Sequence, residues 1–267
     1  MTLSITQIDA FTAKPFAGNP AAVCVLPEAR EAAWMQAVAR EMNLSETAFL
    51  VRQADGFQLR WFTPSVEVDL CGHATVASAH ALWEEGHLTP GEQARFYTRS
   101  GLLTAERKSG NWIELDFPAK PEEPAAAPEG LVEGLGVSPK YVGRNAFDYI
   151  AELDSEEAVR TLQPNFALLG KIPVRGVIVT SRAADYDFVS RFFAPASGVD
   201  EDPVTGSAHC CLGPFWRSRL NKTEFVAYQA SARGGVVRVR LNGERVRLGG
   251  QAVTVLRGEL TAGNLPA

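Results

Sequence analysis

The sequence has few cysteines, and their spacing suits neither a zinc site nor a disulfide framework. Cys24, Cys71, Cys210 and Cys211 are the four among 267 residues, and no C-x-x-C occurs. We therefore expect no structural metal and no set of disulfide bonds, and a reducing cytoplasm is the default compartment.

Long apolar runs and clustered positive charge are also missing. Apolar runs such as Ala21 to Leu26 are far shorter than the ~20 residues that a membrane span needs, and the amino-terminal residues lack the pattern of a secretory signal. Lys and Arg number 26 against 31 Asp and Glu, with no basic block. Neither a membrane nor a nucleic acid is expected as a partner. The glycine-rich loops G-x-G-x-x-G and G-x-x-x-x-G-K-[ST], which bind nucleotides, are absent too.

What the sequence does contain is an ordinary globular composition that is rich in turn residues. Hydrophobic residues make up 46%, with 23 glycines and 16 prolines. This composition indicates a strand-rich fold. The length fits one large domain or two of about 130 residues.

An internal repeat favours two domains. Residues 52–64 read RQADGFQLRWFTP and residues 182–195 read RAADYDFVSRFFAP, so both fit R-x-A-D followed by F-x-x-R-x-F-x-P. After each proline comes a short loop, and then Gly72 or Gly206 opens a helix-like stretch. Two copies are too few for a solenoid, so duplication with pseudo-twofold symmetry is the better interpretation.

A proline-rich segment lies where a duplicated chain would place a boundary. Residues 118–130 read PAKPEEPAAAPEG, which is typical of a semi-rigid linker, although an ordinary surface loop remains possible. The sequence therefore predicts an amino-terminal half over 1–118 and a carboxyl-terminal half over 130–267.

Each half is predicted to contain strands around one main helix. Alternation and β-branched content predict strands in the first half, a surface helix over 30–42 and a buried helix over 74–85. The second half has strand candidates over 149–153, 174–180 and 187–193, a helix over 207–217 and four strand candidates between Glu224 and Leu256. Asn242-Gly243 indicates a hairpin turn between two of these strands.

Both repeat glycines precede a helix and therefore mark possible anion sites. The first turn of a helix has unpaired N–H groups and positive partial charge, and glycine lets a ligand approach closely. Two such helix starts, facing each other across a cleft between the halves, would bind a carboxylate from both sides. Either glycine alone is better explained by a tight turn, but two at equivalent repeat positions, each followed by a polar residue (His73 and Ser207), favour the functional interpretation.

Glu46 and Asp202 are the candidate acidic groups. Glu46 begins an apolar strand, where desolvation could raise its pKa and let it carry a proton, although a lone glutamate is more often a local cap. The repeat places Gly176 opposite it, so the second half has no equivalent base. Asp202 precedes the second helix, where Asp-Pro is also an ordinary turn. The spacing of seven from His73 to His80 and His87 does not suit a metal pair.

Two other mechanisms do not fit the repeat. An aspartic protease would need Asp directly before Thr-Gly in both halves, and Val204 and Leu70-Cys71 stand at those places. A racemase with two thiols would need cysteine before each helix. Cys71 meets that need, but Thr205 takes the other position and cannot be a stable base near neutral pH.

The motifs together resemble those of the PhzF-type isomerases. They are DAF at 9–11, FAGNPA at 16–21, NLSET at 43–47, CGHAT at 71–75 and DPVTGSA at 202–208. This phenazine biosynthesis-like group belongs to the diaminopimelate epimerase fold, and the resemblance runs nearly end to end. It implies an α+β fold with two halves, each a β-barrel-like sheet around a central helix, and an active site in the cleft between them. The final strand could return to the first half.

The resemblance also implies roles for individual residues. Glu46 would move a proton between carbons, His73 and Asp202 would contact polar groups of the substrate, and Ser207 would bind its carboxylate. Backbone N–H groups at Gly72, His73, Gly206 and Ser207 would complete that contact, and Ser45 would lie beside the substrate. No cofactor and no metal are implied, the substrate is a small carboxylate, and a homodimer is expected. The alternative is a binding protein that keeps the site without turnover.

Overall fold

The computed structural model describes residues 3–261 and consists mainly of β-strands. In chain order the strands are β1 (Leu3–Ala10), β2 (Asn19–Leu26), β3 (Glu46–Gln53), β4 (Gly56–Phe62), β5 (Glu67–Val68), β6 (Ala94–Thr98), β7 (Gly101–Lys108), β8 (Trp112–Pro118), β9 (Glu123–Pro124), β10 (Tyr141–Arg144), β11 (Asp148–Glu152), β12 (Gly176–Arg182), β13 (Phe188–Phe193), β14 (Glu224–Gln229), β15 (Gly235–Asn242), β16 (Arg245–Gly250) and β17 (Ala252–Leu260). The helices are α1 (Ala32–Met42), α2 (Gly72–Glu84), α3 (Leu131–Leu135), α4 (Glu156–Thr161), α5 (Phe166–Leu169) and α6 (Gly206–Leu220), with 3₁₀ turns at Ser109–Asn111 and Pro195–Ser197.

The chain divides into two compact units. The first contains the described residues up to Asp116 together with those from Gly249 onward, and the second is Phe117–Leu248. The last strand, β17, therefore belongs to the first unit, where it pairs antiparallel with β1. None of the helices described is long and apolar enough to cross a membrane.

In the first unit, helix α2 is enclosed by strands. Strand β1 pairs antiparallel with β2, β2 runs parallel to β3, and β3 pairs antiparallel with β4. The helix contacts β1, β2, β3 and β17 and is buried on nearly all sides. A helix with apolar and small residues all round needs such a position, and the alanines of GHATVASAHALWE let the strands approach closely.

The second unit repeats this order around helix α6. Strand β11 runs parallel to β12, β12 pairs antiparallel with β13, and β13 runs parallel to β14. Trp216 of α6 stacks on Phe188 of β13 and donates its Nε1–H to Thr180 of β12 at 3.0 Å. The α+β fold and the order of strand, strand and helix in each copy of the repeat are as the sequence predicts.

The proline-rich segment belongs to the second unit. Its β9 pairs antiparallel with β10, and the Lys120 N–H donates to the Cys210 carbonyl of α6 at 3.0 Å. Pro214, four residues after Cys210, has no N–H to give that carbonyl, so the helix leaves an acceptor for the neighbouring segment. The segment over 118–130, predicted as a semi-rigid linker, is thus bonded to β10 and α6 of the second unit.

Candidate active site

The first unit places two polar side chains at the same end of neighbouring parallel strands. Glu46 is the first residue of β3 and pairs with Ala21 of β2, while Asn19 is the first residue of β2. Asn19 is fully buried, and the side chain of Glu46 is 17% exposed. A carboxylate at this strand start therefore lies largely out of water while keeping some access to it.

His73, the second residue of α2, lies against both of these side chains. Its Nε2 is 3.0 Å from Glu46 Oε2, and its Nδ1 is 3.1 Å from Asn19 Nδ2 and 3.5 Å from Cys71 Sγ. Nε2 and Oε2 meet at ion-pair distance without the alignment of a hydrogen bond, and neither has another hydrogen-bond partner among residues 3–261. Both buried atoms thus keep unused hydrogen-bonding capacity.

The electrostatics of this cluster favour a charged imidazole and a neutral thiol. Burial alone would lower the pKa of His73, but the neighbouring Cys71 side chain and the Glu46 carboxylate outweigh it and raise that pKa well above its ordinary value. Burial raises the pKa of the Cys71 thiol to about 11, and the charge of Glu46 adds to the rise. At neutral pH the thiol therefore keeps its proton.

Within the described residues, one cluster has ligand atoms close enough together to consider a metal ion. It consists of Glu46, Cys71 and His73. The three ligand atoms lie within 4.8 Å of one another, and they are one fewer than the four ligands of a closed structural zinc site.

In the second unit, a buried amide organises the segment before α6. Gln229 Oε1 accepts from the Thr205 N–H at 2.8 Å, and its Nε2 donates to the Asp202 carbonyl at 2.7 Å. The Thr205 hydroxyl donates to Asp202 Oδ2. Asp202 is therefore held in one orientation four residues before the helix, and Thr205, at the position equivalent to Cys71, is a structural hydrogen-bond donor.

The structure places the predicted residues in two groups. Glu46, Gly72 and His73 come together in the first unit with Ser45 next in the chain, and Asp202, Gly206 and Ser207 lie at the start of α6 in the second. His80 instead contacts Thr254 and Glu84, and His87 lies partly exposed near Glu85. Asn19 and Gln229 were not predicted as site residues. Asn19 stands in the FAGNPA motif, which marks it as a candidate, but Gln229 belongs to no motif of the sequence.

Comparison with known proteins decides the family. The sequence model of the phenazine biosynthesis-like proteins matches residues 8–258. The chain belongs to the phenazine biosynthesis-like family. A relative from Halalkalibacterium halodurans, named an uncharacterized isomerase, is 60% identical over 97% of this chain and 99% of its own length.

Solved structures of the family have the same fold. A crystal structure of a PhzF family protein from Enterococcus faecalis is 40% identical, covers 98% of this chain and 100% of its own, and has a TM-score of 0.94. A hydroxyproline epimerase from Agrobacterium vitis is only 12% identical, with coverage of 97% and 92% and a TM-score of 0.65. At that identity the likeness concerns the fold alone, which the phenazine biosynthesis-like family shares with epimerases.

Proposed function

We propose that the protein is a cofactor-independent isomerase that moves a proton between carbons of a small cyclic carboxylic acid. The observation that carries the proposal is the 3.0 Å contact between Glu46 Oε2 and His73 Nε2 in a largely buried setting. A carboxylate next to an imidazole, with water mostly excluded, can take up a weakly acidic proton and give it back. The name of the Halalkalibacterium relative, an isomerase, supports the same class.

In the proposed reaction Glu46 is the group that carries the proton. Its carboxylate removes a proton from one carbon, and the electron pair left behind delocalises over the neighbouring unsaturated bonds. The Glu46 carboxyl group then returns the proton to a different carbon, so the product has the same atoms as the substrate. His73 Nε2 would donate to a polar group of the substrate and stabilise the charge that develops there.

Substrate binding is proposed to use the starts of the two long helices. The N–H groups of Gly72 and His73 begin α2, and those of Gly206 and Ser207 begin α6. The first turns of helices of this length attract anions, so a carboxylate is the expected ligand group. By family resemblance, Asp202 and Ser45 would contact the same substrate.

Deuterium incorporation tests the proposal directly. Cyclic amino and hydroxy carboxylic acids are incubated with the protein in D2O, and proton NMR follows the carbon-bound positions. We expect Glu46→Gln to stay folded and to lose roughly 10² to 10⁴ of the exchange rate, which is the usual contribution of a general base. Glu41→Gln, at an exposed position of α1, is the matched control and should exchange like the wild type.

Two outcomes would contradict the proposal. Exchange at the wild-type rate by Glu46→Gln would exclude this carboxylate as the base. Binding of the acids with no deuterium uptake by the wild type would instead support the alternative function, a protein that binds small carboxylates without turnover.

A further inference from the structure

The arginine of the repeat makes the same ion pair in each unit. Arg60 of β4 bonds Glu67 through Nε and Nη2 at 2.7 and 2.8 Å, and Arg191 of β13 bonds Glu201 through Nε and Nη2 at 2.7 and 2.8 Å. Both pairs are bidentate, which is the strongest geometry for arginine and carboxylate. The sequence repeat R-x-F-x-P thus has a structural counterpart that includes a glutamate outside the motif.

Each of these glutamates stands five residues before the glycine that begins the long helix. Glu67 precedes Gly72 of α2, and Glu201 precedes Gly206 of α6. The two pairs therefore bond the strand of the repeat to the segment that leads into the helix. The same spacing in both copies indicates that the ion pair is a property of the repeat rather than a chance surface contact.

The phenylalanine of R-x-F orients each guanidinium. Arg60 lies over the ring of Phe62 at 5.1 Å, and Arg191 lies over Phe193 at 4.9 Å. Arg191 also donates from Nη1 to the Leu162 carbonyl at 2.7 Å. A cation held on an aromatic face loses little further freedom when it bonds a carboxylate, so each pair is well ordered.

In the first unit this ion pair connects the two elements that carry the proposed acid–base groups. Arg60 lies opposite Phe49 in the register of β4 with β3, the strand that begins with Glu46. Glu67 lies in the short segment that ends at Cys71 and His73, and Arg99 bonds it as well at 2.7 Å. The position of His73 relative to Glu46 thus depends on a segment that Arg60 bonds to the sheet.

We propose that Arg60 and Glu67 are positioning residues that set the contact between His73 and Glu46. This inference rests on the proposed function, which gives that contact its role in catalysis. Its test, however, needs no substrate. Neither residue contacts the imidazole in the structure, so their effect on it is exerted through the backbone of residues 67–73.

Nitrogen-15 NMR of histidine-labelled protein tests the proposal without a substrate. The His73 imidazole resonances, assigned with His73→Gln, are followed over pH in the wild type, Arg60→Met, Glu67→Gln and the double variant. We expect both single variants to move the His73 titration midpoint by about half a pH unit or more, and the double variant to resemble either single one, because each removes the same pair. Arg60→Lys keeps the charge but not the bidentate geometry, and should give a smaller displacement.

Arg160→Met is the matched control. Arg160 bonds Glu156 through Nε and Nη2 at 2.7 and 2.6 Å on helix α4, far along the chain from His73. It should leave the His73 resonances unchanged. Glu67→Gln preserves side-chain size and one acceptor, and therefore provides a folded variant if Arg60→Met does not fold.

The outcomes separate this proposal from the proposed function. A folded Arg60→Met or Glu67→Gln protein with lower stability and an unchanged His73 titration would overturn the positioning role and leave a purely structural one. A displaced titration would support it even if the wild type incorporates no deuterium into any acid, in which case the isomerase proposal alone would fail.

Discussion

His209 should lower the stability of the second unit in acid, and a single substitution should remove this effect. This residue lies one turn into α6, is fully buried and donates from Nδ1 to the Thr205 carbonyl at 2.8 Å. Within the described part of the chain, Nε2 has no hydrogen-bond partner. A proton added to Nε2 would therefore create a buried charge without compensation, and burial lowers the pKa of His209 from 6.5 to about 4.

The size of the effect follows from this shift. The unfolded chain binds the proton near pH 6.5 and the folded chain only near pH 4, so between these values the unfolded state holds more protons and folding stability falls as the pH falls. A difference of about 2.5 pH units at 1.36 kcal/mol per unit is a loss of roughly 3 kcal/mol by pH 4. That is a large fraction of the ~5–15 kcal/mol that stabilises an ordinary folded protein.

Urea unfolding of His209→Thr, followed by tryptophan fluorescence at pH 8, 6.5, 5.5 and 4.5, measures this loss. Threonine is the residue at the equivalent place of the first unit, where the Thr75 hydroxyl donates to the Cys71 carbonyl in the same i to i−4 manner. We expect the variant to be less stable at pH 8, by up to about 2 kcal/mol for lost packing, but to lose less stability than the wild type on acidification. His87→Thr, at a side chain that is 38% exposed, is the control. An equally steep pH dependence in His209→Thr and wild type would refute the argument.

Two further predictions concern a thiol and a glycine. Cys71→Ser should keep deuterium exchange within about tenfold of wild type, because a thiol with a pKa of about 11 stays protonated at neutral pH; a loss as large as that of Glu46→Gln would indicate a thiol mechanism. Gly234→Ala should lower the free energy of unfolding by roughly 2–5 kcal/mol in urea titrations, because φ is +65° and an added Cβ would lie 1.9 Å from Tyr228 Oη. Gly243→Ala, with φ +60° and nothing within 4 Å of the added atom, should cost only about 1–2 kcal/mol; equal costs for the two would contradict the steric argument.

Strongly periodic segments could be predicted from the sequence. Strand β3 begins at Glu46, α2 and α6 begin at Gly72 and Gly206, and four strands follow Glu224, with the predicted turn at Asn242-Gly243. Hydrophobic periodicity and turn residues carry this information locally. The short helices α3, α4 and α5 were not predicted, because four to six residues give too few positions for a helical period to show.

Contacts between distant residues of the sequence could be predicted only in part. The family motifs pointed to Glu46 and His73, which the structure brings together, while the roles of Ser45, Asp202 and Ser207 stay predictions. The local sequence contains no signal for the ion pair between Arg60 and Glu67, since both are ordinary charged residues on or near a strand. The packing of the proline-rich segment could not be predicted, because its partner is the Cys210 carbonyl, about 90 residues later in the chain.

The packing of the second unit explains why the repeat offers one proposed acid–base pair rather than two. Strand β12 begins at Gly176 as β3 begins at Glu46, so the repeat aligns these two residues. A Cβ at Gly176 would lie 2.3 Å from Cζ of Phe192, which is too short for a contact between two carbon atoms. Phe192 thus fills the space that a carboxylate would need, and Ser207 stands where the first unit has His73. The second unit thus has neither a carboxylate at position 176 nor an imidazole at position 207. The packing of Phe192 against Gly176 therefore limits the proposed general base to the first unit.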